Sequence, residues 1–278
     1  MNLKLIKKDV ICFPGGDWNL DSYGFKNNYF WVIDGATSLL EPYDPTDVIG
    51  MVNLINRLIN DSIENNDYSL KDLMKIVTLE FNNYRIKKNY EELWEMPSCC
   101  IGIIKLLEEG AEYFLLGDIT IVFRSENTKV ISDKRVALLD QIAIEEKKRL
   151  QTELGLTSVE ARKKIMPILR KHRSKMNSPE GYWIFNGDID AVENALTGYV
   201  AFNGNCRILM STDGFSRIVN VFQLYSSWED VLNALKNKTL DELLKQLREV
   251  EKNDMDCLKY PRFSTYDDAT AIYLEVSK

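Results

Sequence analysis

Tyr29-Phe30-Trp31-Val32-Ile33-Asp34-Gly35-Ala36-Thr37 decides the reading of this chain, because five large apolar residues run uninterrupted into an acid and a glycine. The apolar part is rich in aromatic and β-branched side chains. It reads as a strand buried on both faces and ended by Asp34-Gly35. The same grammar recurs at Arg207-Ile208-Leu209-Met210-Ser211-Thr212-Asp213-Gly214. It returns in mirror order at Asp267-Asp268-Ala269-Thr270-Ala271-Ile272-Tyr273-Leu274, where the acids precede the strand. If neighbouring strands are antiparallel, the end of one lies beside the start of the next, and the three acidic tips meet at one edge. A single strand-end Asp-Gly is most often a plain turn, but three on strands of matching type shift the balance. Converging carboxylates push one another's pKa up and cannot all stay ionised unless a cation joins them. Oxygen-only donors point to a hard metal, magnesium or manganese.

Composition narrows the chemistry. The net charge of -7 argues against a general nucleic-acid binder, since duplex binding rests on an excess of Lys and Arg. No run of about 18 apolar residues suggests a membrane span, and lysines interrupt the apolar residues of the Met1–Lys8 start, so no signal peptide is expected. A cytoplasmic protein is expected. The five cysteines, Cys12, Cys99, Cys100, Cys206 and Cys257, are odd in number and have no C-x-x-C spacing, so neither a disulfide framework nor a zinc site is written here. The single histidine, His172, lies in a basic helical stretch and is expected to be far from every Asp motif. Triad and multi-histidine metal chemistry are thereby excluded, and catalysis falls to carboxylates.

In chain order, residues 3–13 read as a first strand, and Pro14-Gly15-Gly16 opens a loop carrying Asp17, Asn19 and Asp21. Asp44-Pro45 starts a helix whose apolar face is Val48, Val52, Ile55, Ile59 and Ile63. Ser69 starts another, with Leu73, Ile76, Val77 and Tyr84 on one side. Residues 99–106 and 112–123 read as strands, the second interrupted by Gly117-Asp118, which is either a two-residue hairpin turn or a functional site. From about 136 to 186 the pattern becomes a charged helical insert. Thr157 and Glu160 form a capping box there, and seven basic residues fall between Arg162 and Lys175. That segment is either a solvated face or a flap beside the acids. Gly181-Tyr182-Trp183-Ile184-Phe185 reads as a strand, residues 191–195 as a short helix, and Trp228–Leu235 and the Thr239 capping box as two further helices. No repeat or linker divides the chain, so residues 1–278 are expected to form one domain.

Five patches, in order, resemble the metal-dependent PP2C (PPM) family of serine/threonine protein phosphatases. They are Gly15-Gly16-Asp17-Trp18-Asn19-Leu20-Asp21-Ser22-Tyr23, Val32-Ile33-Asp34-Gly35, Leu115-Leu116-Gly117-Asp118, Ser211-Thr212-Asp213-Gly214-Phe215 and Asp267-Asp268-Ala269-Thr270. The resemblance implies an α+β fold, a four-layer αββα sandwich of two packed antiparallel sheets flanked by helices. It implies hydrolysis of phosphoserine and phosphothreonine monoesters on a phosphorylated protein; the charge and the lack of a long apolar run are what lead us to expect no nucleic-acid or membrane partner. Two manganese or magnesium ions are implied, with a third possible. Asp34 would bridge them, with the Gly35 carbonyl on one metal. Asp213 and Asp267 would hold the other, with Asp268 the alternative if the register shifts by one. Asp118 would be an auxiliary ligand, and Asp21 would orient a metal-bound water. The family's metal-side glutamate is Leu20 here, its phosphate-gripping arginine is Gly16, and Ala36 stands where eukaryotic members have a histidine. Arg170, Lys171 and Arg173 of the basic insert are the expected replacements for substrate capture. The rival reading is a phosphatase-like binding protein that has lost catalysis.

Overall fold

The structure is a computed structural model describing residues 3–63, 68–84, 90–202 and 204–277; Met1 and Asn2 of the lysine-interrupted start lie outside them. One antiparallel sheet runs in the order β2 (Asp21–Lys26), β3 (Tyr29–Gly35), β4 (Cys99–Leu107), β5 (Gly110–Leu116) and β8 (Leu196–Ala201). The other runs β1 (Lys4–Phe13), β10 (Ala269–Ser277), β9 (Cys206–Ser211), β6 (Thr120–Arg124) and β7 (Thr128–Ile131). Successive side chains of β3 point to opposite faces, and both faces are covered. Phe30 and Val32 pack with Ile104, Leu115, Phe123, Ile208, Met210 and Ile272 between the sheets. Trp31 and Ile33 pack outward against α1 (Thr46–Ser62) and α2 (Leu70–Tyr84), meeting Ile55, Ile59, Met74 and Val77. Each such buried side chain contributes about 1.5–3 kcal/mol relative to exposure.

The second sheet repeats the arrangement. Ile272 and Leu274 of β10 face the inter-sheet core. Ala271 and Tyr273 face outward onto α7 (Asp213–Asn220), α8 (Trp228–Ala234) and α9 (Leu240–Lys252), through Phe215, Leu232, Leu243 and Leu247. The layers are therefore helices, sheet, sheet, helices, as the resemblance implied. Beyond this sandwich, α3 (Arg135–Leu154), α4 (Ser158–Lys164) and α5 (Met166–Arg173) build a small core of their own from Ala143, Leu150, Ala161, Ile165 and Leu169, which Leu39 joins. Among the described residues, no helix is long and apolar enough to cross a membrane.

Four local expectations change. Residues 112–123 are not one interrupted strand, because β5 pairs with β4 and β8 while β6 pairs with β7 and β9 in the other sheet. Gly117-Asp118 is thus a crossing between sheets and not a hairpin turn. Residues 181–185 form no strand; only isolated bridges, Cys99 to Phe185 and Met176 to Tyr182, tie them down. Their apolar run reflects burial against both sheets' cores, which a strand and a well-packed connector share. The short helix is α6 (Ile189–Glu193), and β8 follows it unanticipated because its pattern is mostly exposed. Tyr84 is exposed, and the buried face of α2 is Leu70, Leu73, Met74, Val77 and Phe81, a stripe rotated from the expected one.

Candidate active site

Asp21 opens β2 and does not sit in the preceding loop; it lies directly opposite Asp34 across the β2–β3 pair. Like charges placed opposite one another on neighbouring strands are destabilising, so this pairing calls for something else in the site. Asp213 begins α7 two residues after β9 ends, and Asp267 lies two residues before the antiparallel neighbour β10. Asp118 lies on the crossing from β5 to β6. All five carboxylates, with Gly35, line one cavity of about 540 Å³.

Close backbone approach holds these tips together. A Cβ on Gly214 would lie 1.9 Å from the Asp268 carbonyl oxygen, and one on Gly15 would lie 2.4 Å from the Asp267 carbonyl carbon. Gly214→Ala is expected to push α7 off the Asp267-Asp268 segment, at a cost of about 1–3 kcal/mol or more. Thermal melting beside an activity assay checks it; a wild-type melting temperature would show that the segment can yield.

Hydrogen bonds then set each acid's freedom. The Thr212 hydroxyl donates to Asp21 at 2.9 Å, and the Thr270 backbone N–H donates to the Thr212 hydroxyl at 3.0 Å. Asp268 accepts from the backbone N–H groups of Gly15 at 2.7 Å and Leu20 at 2.6 Å, so its carboxylate clasps the 15–20 loop. Asp267 is ion-paired with Arg217 of α7, and its other oxygen accepts from the Asp268 backbone N–H at 3.1 Å.

The electrostatics follow. Burial pushes the Asp34 carboxyl well above the usual carboxylate range, and the charges of Asp21, Asp213 and Asp118 push it further. Burial and then Asp268 do the same to Asp21, against the opposing Thr212 hydrogen bond. Asp118 is raised by burial, partly offset by the Cys100 thiol. Asp213 moves in the same direction through the protein wall around it and then Asp267 and Asp118, although its own surface faces cavity solvent.

The helical insert supplies the facing wall. Asp140, Arg162, His172 and Arg173 all line the cavity. Sequence reasoning missed Asp140, counted Arg162 in the basic insert without choosing it for substrate capture, and set His172 far from the acids, which is true along the chain and not in space. Asp140 is pushed up to about 7 by burial and then by Asp118, with Arg173 and Arg162 holding it down in part. The Arg162 guanidinium stands over the Phe263 ring, 5.8 Å from its centroid. Arg170 and Lys171 are not brought to the cavity. Arg170 donates to the Leu39 carbonyl at 2.9 Å and stacks on Trp94, and Lys171 is exposed. The signal that separates them is helical phase: Arg173 lies four residues after Leu169, on the inward side that Leu169 anchors.

No family model matches the chain, and no curated protein matches it. Solved structures do. The serine/threonine phosphatase PstP of Mycobacterium tuberculosis is 14% identical over 100% of both chains, with a TM-score of 0.57. The PstP catalytic domain in complex with two manganese ions is 15% identical over 100% of both, with a TM-score of 0.56. The serine/threonine phosphatase Stp1 of Staphylococcus aureus is 13% identical, covering 100% of this chain and 98% of that one, with a TM-score of 0.60. This chain has the PP2C-type fold.

Within the PP2C-type fold, the departures at Leu20 and Gly16 have plain surroundings. Leu20 is buried with Val48 and Ile33 between β3 and α1, while a Cβ on Gly16 would meet nothing within 4 Å. The donor set of Asp34, the Gly35 carbonyl, Asp213, Asp21 and Asp118 is all oxygen and mostly anionic, which suits a hard divalent cation. The mutual repulsion of these acids is the observation such a cation relieves. Among the described residues, no three His, Cys, Asp or Glu side chains stand close enough together to hold an ion as placed.

Proposed function

We propose that the protein hydrolyses phosphoserine and phosphothreonine monoesters on protein substrates, with manganese or magnesium held by the acidic tips. The observation that carries this is the convergence of five carboxylates from both sheets on one cavity, with arginines on the facing wall. A bound divalent cation would lower the pKa of a water and neutralise charge on the phosphoryl oxygens. In this reading Asp34, the Gly35 carbonyl and Asp213 hold the cation, and Asp118 is an auxiliary donor. Asp21, fixed by Thr212, orients the attacking water. Arg162 and Arg173 hold the anionic substrate from the insert. With all five cysteines free, a reducing compartment such as the cytoplasm suits the chain.

The test is release of phosphate from p-nitrophenyl phosphate and from a phosphothreonine peptide, with and without manganese. Manganese-dependent release from both is expected; none from either at saturating manganese defeats the proposal. The double variant Arg162→Gln, Arg173→Gln is expected to raise the KM of the peptide roughly tenfold, the loss of about one charge-assisted contact. An unchanged KM would remove the insert from substrate capture.

One observation favours the rival reading of a non-catalytic binding protein. The Arg217–Asp267 ion pair occupies an acid that the family's second metal would need, and Leu20 and Gly16 remove two further family side chains. Absence of both manganese binding and hydrolysis in the folded protein would remove the catalytic reading and leave this one standing.

A further inference from the structure

We infer that Arg217 is a built-in cation standing in for one divalent ion, so that the site takes a single manganese rather than two; this rests on the metal-dependent reading above. Arg217 follows Asp213 by four residues on α7, the spacing that puts two side chains on one helix face. It is ion-paired with Asp267, on the segment that leads into β10. Asp267 is the acid left for a second metal once Asp34, Asp213 and the Gly35 carbonyl serve the first. The positive charge of Arg217 therefore lies where that metal's charge would act, but from behind, because Arg217 is buried and does not line the cavity.

The guanidinium is not free to withdraw. Its Nη1 pairs with Glu251 of α9 at 3.3 Å, and Glu251 is fully buried. Its two terminal nitrogens also reach the Ser264 carbonyl and hydroxyl at 3.4 Å. Arg248 holds Glu251 from the other side at 2.7 Å and donates to the Asp267 carbonyl at 2.6 Å. Asp267 is thus fixed through both its side chain and its backbone. A second divalent ion on Asp267 would have to displace a buried, twice-anchored cation or sit against its charge. With Asp267 neutralised from within the protein, the remaining acids need one ion, not two.

Manganese titration by isothermal calorimetry, with free ion counted by electron paramagnetic resonance and folding checked by circular dichroism, tests this without any activity readout. The wild type is expected to bind one manganese. Arg217→Gln frees Asp267 and is expected to bind two. If that variant fails to fold, Asp267→Asn decides, since it leaves Glu251 and Arg248 around Arg217: one manganese at unchanged affinity is expected. Two ions on the wild type would overturn the inference and leave the phosphatase reading standing. So would a folded Arg217→Gln that still binds one, or loss of manganese in Asp267→Asn. No manganese on the wild type would overturn both readings together.

Discussion

Asp34→Asn is expected to lower manganese-dependent phosphomonoester hydrolysis by at least about a hundredfold, the scale that losing even a ligand's supporting partner reaches at a metal site. Asp34 is the acid most surrounded by others. Asp21 faces it across β2–β3, and the charges of Asp213 and Asp118 both act on it. Asparagine keeps its shape and removes its charge, and the β3 ladder to Cys100 is made by backbone groups that the change leaves alone. Relief of repulsion among buried like charges means that the metal-free variant should melt no lower than the wild type, and higher at alkaline pH. Activity and melting curves on one preparation separate the two effects. Full activity would remove Asp34 from the metal site, while a large drop in stability would make it a structural acid instead.

Metal-free protein, prepared with a chelator, should lose thermal stability as pH rises from about 4 to 8, the reverse of ordinary acid unfolding. Asp21, Asp34, Asp118 and Asp213 all have pKa values raised by folding, and Asp140 is raised to about 7. Such groups bind protons more tightly in the native state than in the unfolded chain, where a carboxyl titrates near 4. Their contribution is fully present below that value and is lost as pH climbs through the folded values. The expected fall is several degrees, at about 2–4 °C per kcal/mol for a chain of this size. Surface carboxylates act in the opposite sense and at lower pH. Glu193, for example, is held down to about 2 by its hydrogen bonds to Lys71 and Lys75, so its contribution is lost only in stronger acid. Saturating manganese should flatten the slope, and Asp34→Asn should make it shallower. A melting temperature that rises through this range would mean that the acids are compensated without any ion.

What the sequence determined by itself is what short-range physics writes into it. Unbroken apolar residues in β3 can only be satisfied by cover on both faces, and the structure supplies it from α1 and α2 on one side and the other sheet on the other. The Thr157–Glu160 and Thr239–Glu242 capping boxes join groups three residues apart, so they were legible and they form. Acid-glycine strand ends likewise told of a shared acidic site, since antiparallel pairing brings those ends together. The tertiary structure decided everything that depends on partners far along the chain. It sent β5 and β6 to different sheets across Gly117-Asp118, left 181–185 without a strand, and turned Arg162 and Arg173 inward while committing Arg170 to the Leu39 carbonyl. It also joined Arg217 to Asp267, 50 residues on. Periodicity reports how much of a side chain is covered, not by what, and a charge pattern cannot say which opposite charge it will meet.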